Sequence, residues 1–139
     1  MRGWLQYLTL GAIAALALTA PARAADDWSF IAGRYAIDAP DCKLLAKGQP
    51  FSKQLAKAIE SEVLTREGIT SPRETHCRFR SSAKGADGTW KVKAQCEEMG
   101  QRSPALDDVV VTKNADGSLA VVAEDTFGPT PLTFKLCPR

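Results

Sequence analysis

The sequence predicts a mainly β, α+β fold: a small antiparallel β-barrel or sandwich of about six strands, with one short helix and two disulfides. Three observations carry that expectation. Two runs of alternating polar and apolar residues flank the same turn chemistry, twice in the chain. Four cysteines are spaced by 35, 19 and 41 residues, with no C-x-x-C pair. A single segment near residues 50–62 changes to a helical repeat.

Taken in order, Trp28 to Ile37 is rich in aromatic and β-branched residues and reads as the opening strand. Asp38 is placed to cap a helical turn carrying Cys42, Leu44 and Leu45, with Gly48 as its stop. From Pro50 to Glu62 the pattern is helical. Phe51, Leu55 and Ile59 recur every four residues, Lys53, Lys57 and Glu60 fall elsewhere, and Pro50 suits a helix start. Val63-Leu64-Thr65 then reads as extended, and Glu67-Gly68 as a turn.

Residues 74–97 form the clearest feature. Ala86-Asp87-Gly88 is turn chemistry between two alternating runs, so the segment is a β-hairpin. If paired positions sum to 173, Cys77 faces Cys96, Phe79 faces Ala94, Ser81 faces Val92 and Ala83 faces Trp90. One face then collects Cys, Phe, Val, Ala and Trp. The other collects His76, Arg78, Arg80, Lys91, Lys93 and Gln95, with Arg80 across from Lys93. A slip of one residue would destroy this partition, because side chains alternate with a period of two.

A second hairpin repeats the local chemistry, since Lys113-Asn114-Ala115-Asp116-Gly117-Ser118 resembles Lys84-Gly85-Ala86-Asp87-Gly88-Thr89. Val109–Thr112 and Leu119–Val122 are its arms. Phe127-Gly128-Pro129-Thr130-Pro131 reads as a loop, and Leu132–Cys137 as the last strand.

Residues 1–24 have the layout of a signal peptide: Arg2, an apolar run from Leu8 to Leu18, and Ala22-Arg23-Ala24 at the cleavage point. The run is about half the 20 residues a membrane span needs, so no span is expected in the mature form. Cleavage leaves a single domain, 25–139, in the periplasm or secreted. Removing 24 of 139 residues leaves 115, and losing Arg2 and Arg23 from 18 basic residues leaves 16 against 16 acidic ones. A neutral chain carries no global attraction for nucleic acid.

An even set of cysteines in an exported small domain reads as disulfides. The hairpin register pairs Cys77 with Cys96, and elimination pairs Cys42 with Cys137. In the chain-entropy account a loop of about 95 residues is worth roughly 4–5 kcal/mol and a short hairpin loop about 3, comparable with the whole stability of a small domain.

No catalytic residue, metal or cofactor is assigned. His76 is the single histidine and has no nucleophile motif beside it, so it reads as an exposed strand residue. Asp107-Asp108 and Glu124-Asp125 lack calcium-loop spacing and read as solvated surface. The candidate binding surface is the basic hairpin face of His76, Arg78, Arg80, Lys91 and Lys93. Four cations on one face of a neutral chain point to an anionic partner, an acidic protein or an envelope polymer.

Two resemblances can be stated. Gly33-Arg34-Tyr35 resembles the G-x-W of lipocalin-like barrels, with Tyr35 in place of Trp. The layout Gly33-x-Tyr35, Cys42, Gly68-Ile69, Glu74-x-x-Cys77, Trp90, Cys96-x-x-x-Gly100 resembles small exported disulfide-bonded β-rich proteins of Gram-negative bacteria with no settled function. Its most specific parts are Glu74-Thr75-His76-Cys77 and Cys96-Glu97-Glu98-Met99-Gly100, and the helical stretch 51–60 departs from it. The resemblance implies export, disulfides and a β-rich fold, and transfers no catalytic residue.

These readings converge on a non-catalytic binding or inhibitor module that engages another envelope macromolecule. The alternatives are a lipocalin-like carrier with a cavity walled by Trp28, Tyr35, Phe79 and Trp90, and an envelope-polymer hydrolase using carboxylates. The exported product is expected to begin at Ala25. Its intact mass tests this, and retention of residues 1–24 in a membrane fraction would overturn it.

Overall fold

The computed structural model describes residues 25–47, 51–72, 74–98 and 100–139. The segment 1–24, read as a signal peptide, and the roles assigned to Gly48 and Pro50, lie outside the described residues. Eight strands form a closed antiparallel barrel in which each strand pairs with its neighbours in sequence and β8 returns to β1. The strands are β1 Tyr35–Ala36, β2 Val63–Thr65, β3 Gly68–Thr70, β4 His76–Lys84, β5 Trp90–Glu97, β6 Ala105–Lys113, β7 Leu119–Ala123 and β8 Gly128–Leu136. Three short helices lie in the connections: α1 Asp41–Lys47, α2 Lys53–Ala58 and α3 Glu124–Phe127.

The alternation in β5 sorts its residues. Trp90, Val92, Ala94 and Cys96 are buried, while Lys91, Lys93 and Glu97 are exposed. Val109 and Val111 of β6, Leu119, Val121 and Ala123 of β7 and Phe134 of β8 join them in one core with Tyr35, Leu64 and Ile69. Eight strands enclose just enough space for side chains to fill. A second, smaller cluster lies outside the barrel. Leu45 of α1 and Leu55 of α2, with Ile59, pack on Ala36, Val63 and Cys137. This is why β2 is buried at all three positions: Leu64 points into the barrel core and Val63 into the outer cluster.

The disulfides are Cys77–Cys96 and Cys42–Cys137. The first joins directly opposed residues of β4 and β5, and the second, with a sequence separation of 95, ties α1 to the chain just after β8.

The architecture corrects the sequence reading in six places. Among the described residues there are eight strands, not about six, because Gly68-Ile69-Thr70 pairs with Val63-Leu64-Thr65 as a strand of its own. The same residues hold three short helices, not one. Only Tyr35–Ala36 of the supposed opening strand is a strand. Ahead of it Asp27 accepts hydrogen bonds from the Ser29 amide (2.9 Å) and hydroxyl (2.6 Å), and the Ile31 amide donates to the Trp28 carbonyl (3.0 Å). That turn drops Phe30 into the core, where the Tyr35 hydroxyl donates to its carbonyl. Gly128–Pro131, read as a loop, begins β8. Two-residue β1 covers only Lys135 and Leu136 of β8, so prolines upstream forfeit no ladder bond on that flank. Phe51 does not share the helix face with Leu55 and Ile59: it precedes α2 at φ 61°, and Ser52 caps the helix by accepting from the Leu55 amide.

The sixth correction concerns the hairpin. Cys77↔Cys96 and Phe79↔Ala94 pair as expected, but a β-bulge at Arg80 shifts the rest by one, giving Ser81↔Lys93, Ser82↔Val92, Ala83↔Lys91 and Lys84↔Trp90. Arg80 therefore does not oppose Lys93. Beyond the bulge β4 also outruns β3, which pairs only with His76, Cys77 and Arg78. The N-terminal segment fills the gap: the Asp27 amide donates to the Ser82 carbonyl (2.9 Å), and Asp26 accepts from the Ser82 amide (3.2 Å).

Gly68 has φ +143°, and a Cβ there would lie 1.8 Å from the Cys77 carbonyl oxygen and 2.9 Å from the Phe51 ring. Gly68→Ala is expected to cost about 1–3 kcal/mol through backbone strain. A urea midpoint unchanged from the parent would contradict this packing.

Candidate functional site

The five residues of the predicted basic face fall into two groups. His76 and Arg78 stand on the outside of β4 around Phe51. The His76 ring meets Phe51 edge-on at 5.7 Å, and the Arg78 guanidinium lies 4.4 Å above the same ring. His76 is half-buried, not exposed as expected, and its Nδ1 is buried without a hydrogen-bond partner. Burial, and then the Arg78 charge, hold its pKa below the ordinary histidine value, with Glu97 and Glu74 acting the other way.

Arg80, Lys91 and Lys93 form the second group. They line one open depression of about 730 Å³, together with Ala25, Asp26 and Ser81–Ala83. The bulge turns Arg80 outward, where it donates to the Gln95 side chain. Lys93 pairs with Asp108 of β6 at 2.5 Å, both largely exposed. Lys91 stands between Ala83 and Val110 in the strand registers. On β6, Val110 opposite Lys91 and Leu106 opposite Gln95 are exposed aliphatic residues, 36% and 77% accessible. The depression is a cationic hollow on a disulfide-locked hairpin.

A second concavity sits where the β1–β2, β3–β4, β5–β6 and β7–β8 connections meet. It measures about 660 Å³ and is lined by residues including Glu60, Glu62, Glu98, Thr126, Phe127 and Leu132. Two buried carboxylates shape its walls. Asp41 accepts from the Glu60 amide (3.1 Å), the Ser61 amide (2.9 Å) and the Ser61 hydroxyl (2.7 Å). Asp107 accepts from the Thr126 amide (3.1 Å) and hydroxyl (2.8 Å). Asp107 is thus a buried structural acid and not solvated surface. Among the described residues, no group of three or more His, Cys, Asp or Glu side chains could hold a metal ion.

No family model, curated protein or solved structure matches the chain. Its function is therefore argued from geometry. Sequence reasoning missed Ala25 and Asp26 at the depression because the bonds of Asp26 and Asp27 to Ser82 exist only where the three-residue β3 leaves that edge of β4 open. It missed the mouth because Glu60, Glu62 and Glu98 come from separate connections, with no spacing to announce them. An unpaired aromatic, Phe51, was the one signal for the His76–Arg78 group, and its helical spacing with Leu55 masked it.

The lowered His76 pKa fixes a pH dependence. The unfolded chain binds the proton near pH 6.5 and the folded chain only below it. The stability difference is fully present above the unfolded value of about 6.5 and is lost as pH falls below it through the lower folded value. His76→Gln is expected to flatten the fall in stability on the acid side of pH 6.5, measured by urea unfolding. An equal slope in parent and variant would contradict the assignment.

Proposed function

We propose that this chain is an exported binding or inhibitor module of the periplasm or exterior. In this reading it engages an acidic envelope macromolecule, whether protein or polymer, through the hollow of Arg80, Lys91 and Lys93. The observation that carries the reading is the gathering of these three cations around one depression on the hairpin that Cys77–Cys96 locks. A locked strand pair presents its charges with less ordering cost on binding than a loop would. Both disulfides fit an oxidising compartment, and the leader-like segment 1–24 supports export. No helix among the described residues is long and apolar enough to cross a membrane.

The carrier reading is less well supported, because Tyr35 and Trp90 are buried members of the core and Trp28 and Phe79 pack against it. A second reading draws on the mouth, where Glu60, Glu62 and Glu98 share one concavity. Carboxylate-based hydrolysis of an envelope polymer needs one such acid and one base. New reducing ends released by the parent and not by Glu98→Gln would favour it.

The binding reading is tested by co-sedimentation of the domain with isolated cell envelope at increasing salt. Replacing Arg80 and Lys93 by Thr is expected to weaken retention about three- to tenfold, on the scale of two exposed charge contacts, and to flatten its salt dependence. Stability should change by less than about 1 kcal/mol, since the loss is one surface ion pair and one exposed polar contact. Retention equal to the parent at every salt concentration would overturn the reading.

A further inference from the structure

The depression at the β4 bulge is bounded by the first residues of the exported chain. Ala25 and Asp26 line it alongside Arg80, Lys91 and Lys93. They are held in place: Asp26 accepts from the Ser82 amide, and the Asp27 amide donates to the Ser82 carbonyl. Asp27 is itself fixed by the Ser29 amide and hydroxyl. The chain terminus produced by leader removal would thus lie next to an anchored side chain and two residues from an anchored backbone amide.

We propose that hydrolysis of the Ala24–Ala25 peptide bond completes a phosphate-binding site, by leaving an ammonium group on Ala25 in the depression formed by Arg80, Lys91 and Lys93. The inference rests on the binding reading above and on cleavage at Ala24. Water adds across the bond, Ala24 departs with the leader as a carboxylate, and Ala25 keeps the amine. A leader peptidase supplies the catalysis.

The charge count shows why the amine matters. Three side-chain cations face Asp26 in the hollow, and Asp108 is paired with Lys93 behind it, so three positive charges less two negative leave one. The ammonium doubles that excess. A phosphate monoester carries close to two negative charges at neutral pH, its second pKa being about 6, and so matches the completed site and not the unprocessed one. Lysine and arginine are suited to phosphate as point charge and as multiple donor. An uncleaved leader would put a neutral amide where the charge belongs. Phosphate recognition would then be a property of the exported form alone.

The test compares the chain beginning at Ala25 with the same chain carrying Gly-Ser-Gly ahead of it. Three extended residues can carry the amine about 10 Å away. Glycerol 1-phosphate titrated by calorimetry at pH 7 is expected to bind the Ala25 form at least about fivefold more tightly. At pH 9.5 the α-amine is neutral while lysine stays charged, and the two forms should become equal. Vesicles containing phosphatidic acid, against phosphatidylcholine alone, show whether a lipid headgroup can supply the same group, and preference for the Ala25 form with either source supports the proposal. Equal affinity of the two forms at pH 7, or no binding of either probe, overturns it. Matching urea midpoints exclude a folding difference. Envelope retention separates the two ideas: equal retention of both forms, still reduced by R80T/K93T, leaves the binding reading standing while this one falls.

Discussion

The barrel is closed by two residues. Tyr35 and Ala36 pair with Leu64 and Val63 on one side and with Leu136 and Lys135 on the other, so the seam has few ladder bonds. Its strength comes from what lies on either side. Inside, the Tyr35 ring is fully buried, and its hydroxyl donates to the Phe30 carbonyl and accepts from the Ala32 amide. Outside, Ala36 is covered by Leu45, Leu55 and Ile59. The Cys137 amide donates to the Arg34 carbonyl at 2.8 Å, and the Cys42–Cys137 disulfide anchors the same spot. An unpaired strand edge invites pairing with another chain. Here sequence-distant ends are cross-linked at the place where closure by hydrogen bonds is thinnest.

That division explains which parts of the fold were legible in the sequence. The β4–β5 and β6–β7 hairpins are local. Their turns have the same bonds, with the Gly85 amide donating to Thr89 and the Asn114 amide to Ser118, and an aspartate accepting from the hydroxyl two residues on. The Asp-x-Ser/Thr motif at Asp87 and Asp116 is visible in the sequence. It occurs a third time at Asp27, where it ends a supposed strand instead of joining two. The seam strands were not legible, because two- and three-residue strands carry no periodicity. They are strands only because their neighbours present matching edges. The helices were partly legible: Leu55 and Ile59 do face a core, but one outside the barrel.

The candidate site was legible in composition and not in geometry. Alternation placed Arg80, Lys91 and Lys93 on the outer face. A strict register would have set Arg80 against Lys93, an unfavourable opposition. The bulge removes that conflict: Ser81 takes the place opposite Lys93, Lys93 turns to Asp108, and Arg80 turns to Gln95. A bulge bends its strand and re-aims side chains. In this case it also shifts the phase of the second half of β4, putting Ser82 inward beside Val92 and leaving Ala83 outside beside Lys91.

The short β3 decides where the segment ahead of Trp28 can dock. If β4 stayed in register with β3 along its length, the Ser82 amide and carbonyl would belong to a ladder and Asp26 and Asp27 would have no partner there. Because β3 stops at Gly68, opposite Arg78, that edge is open to the N-terminal segment. Trp28 then stacks on Phe79 under the Arg66 guanidinium and covers that end of the core. The inserted residue and the short β3 act on opposite edges of β4: one removes a charge clash with β5, and the other leaves an edge that Asp26 and Asp27 fill. A hairpin without the bulge would keep the same residues and the same disulfide, yet it would set Arg80 directly against Lys93, like charges opposed across the strand pair.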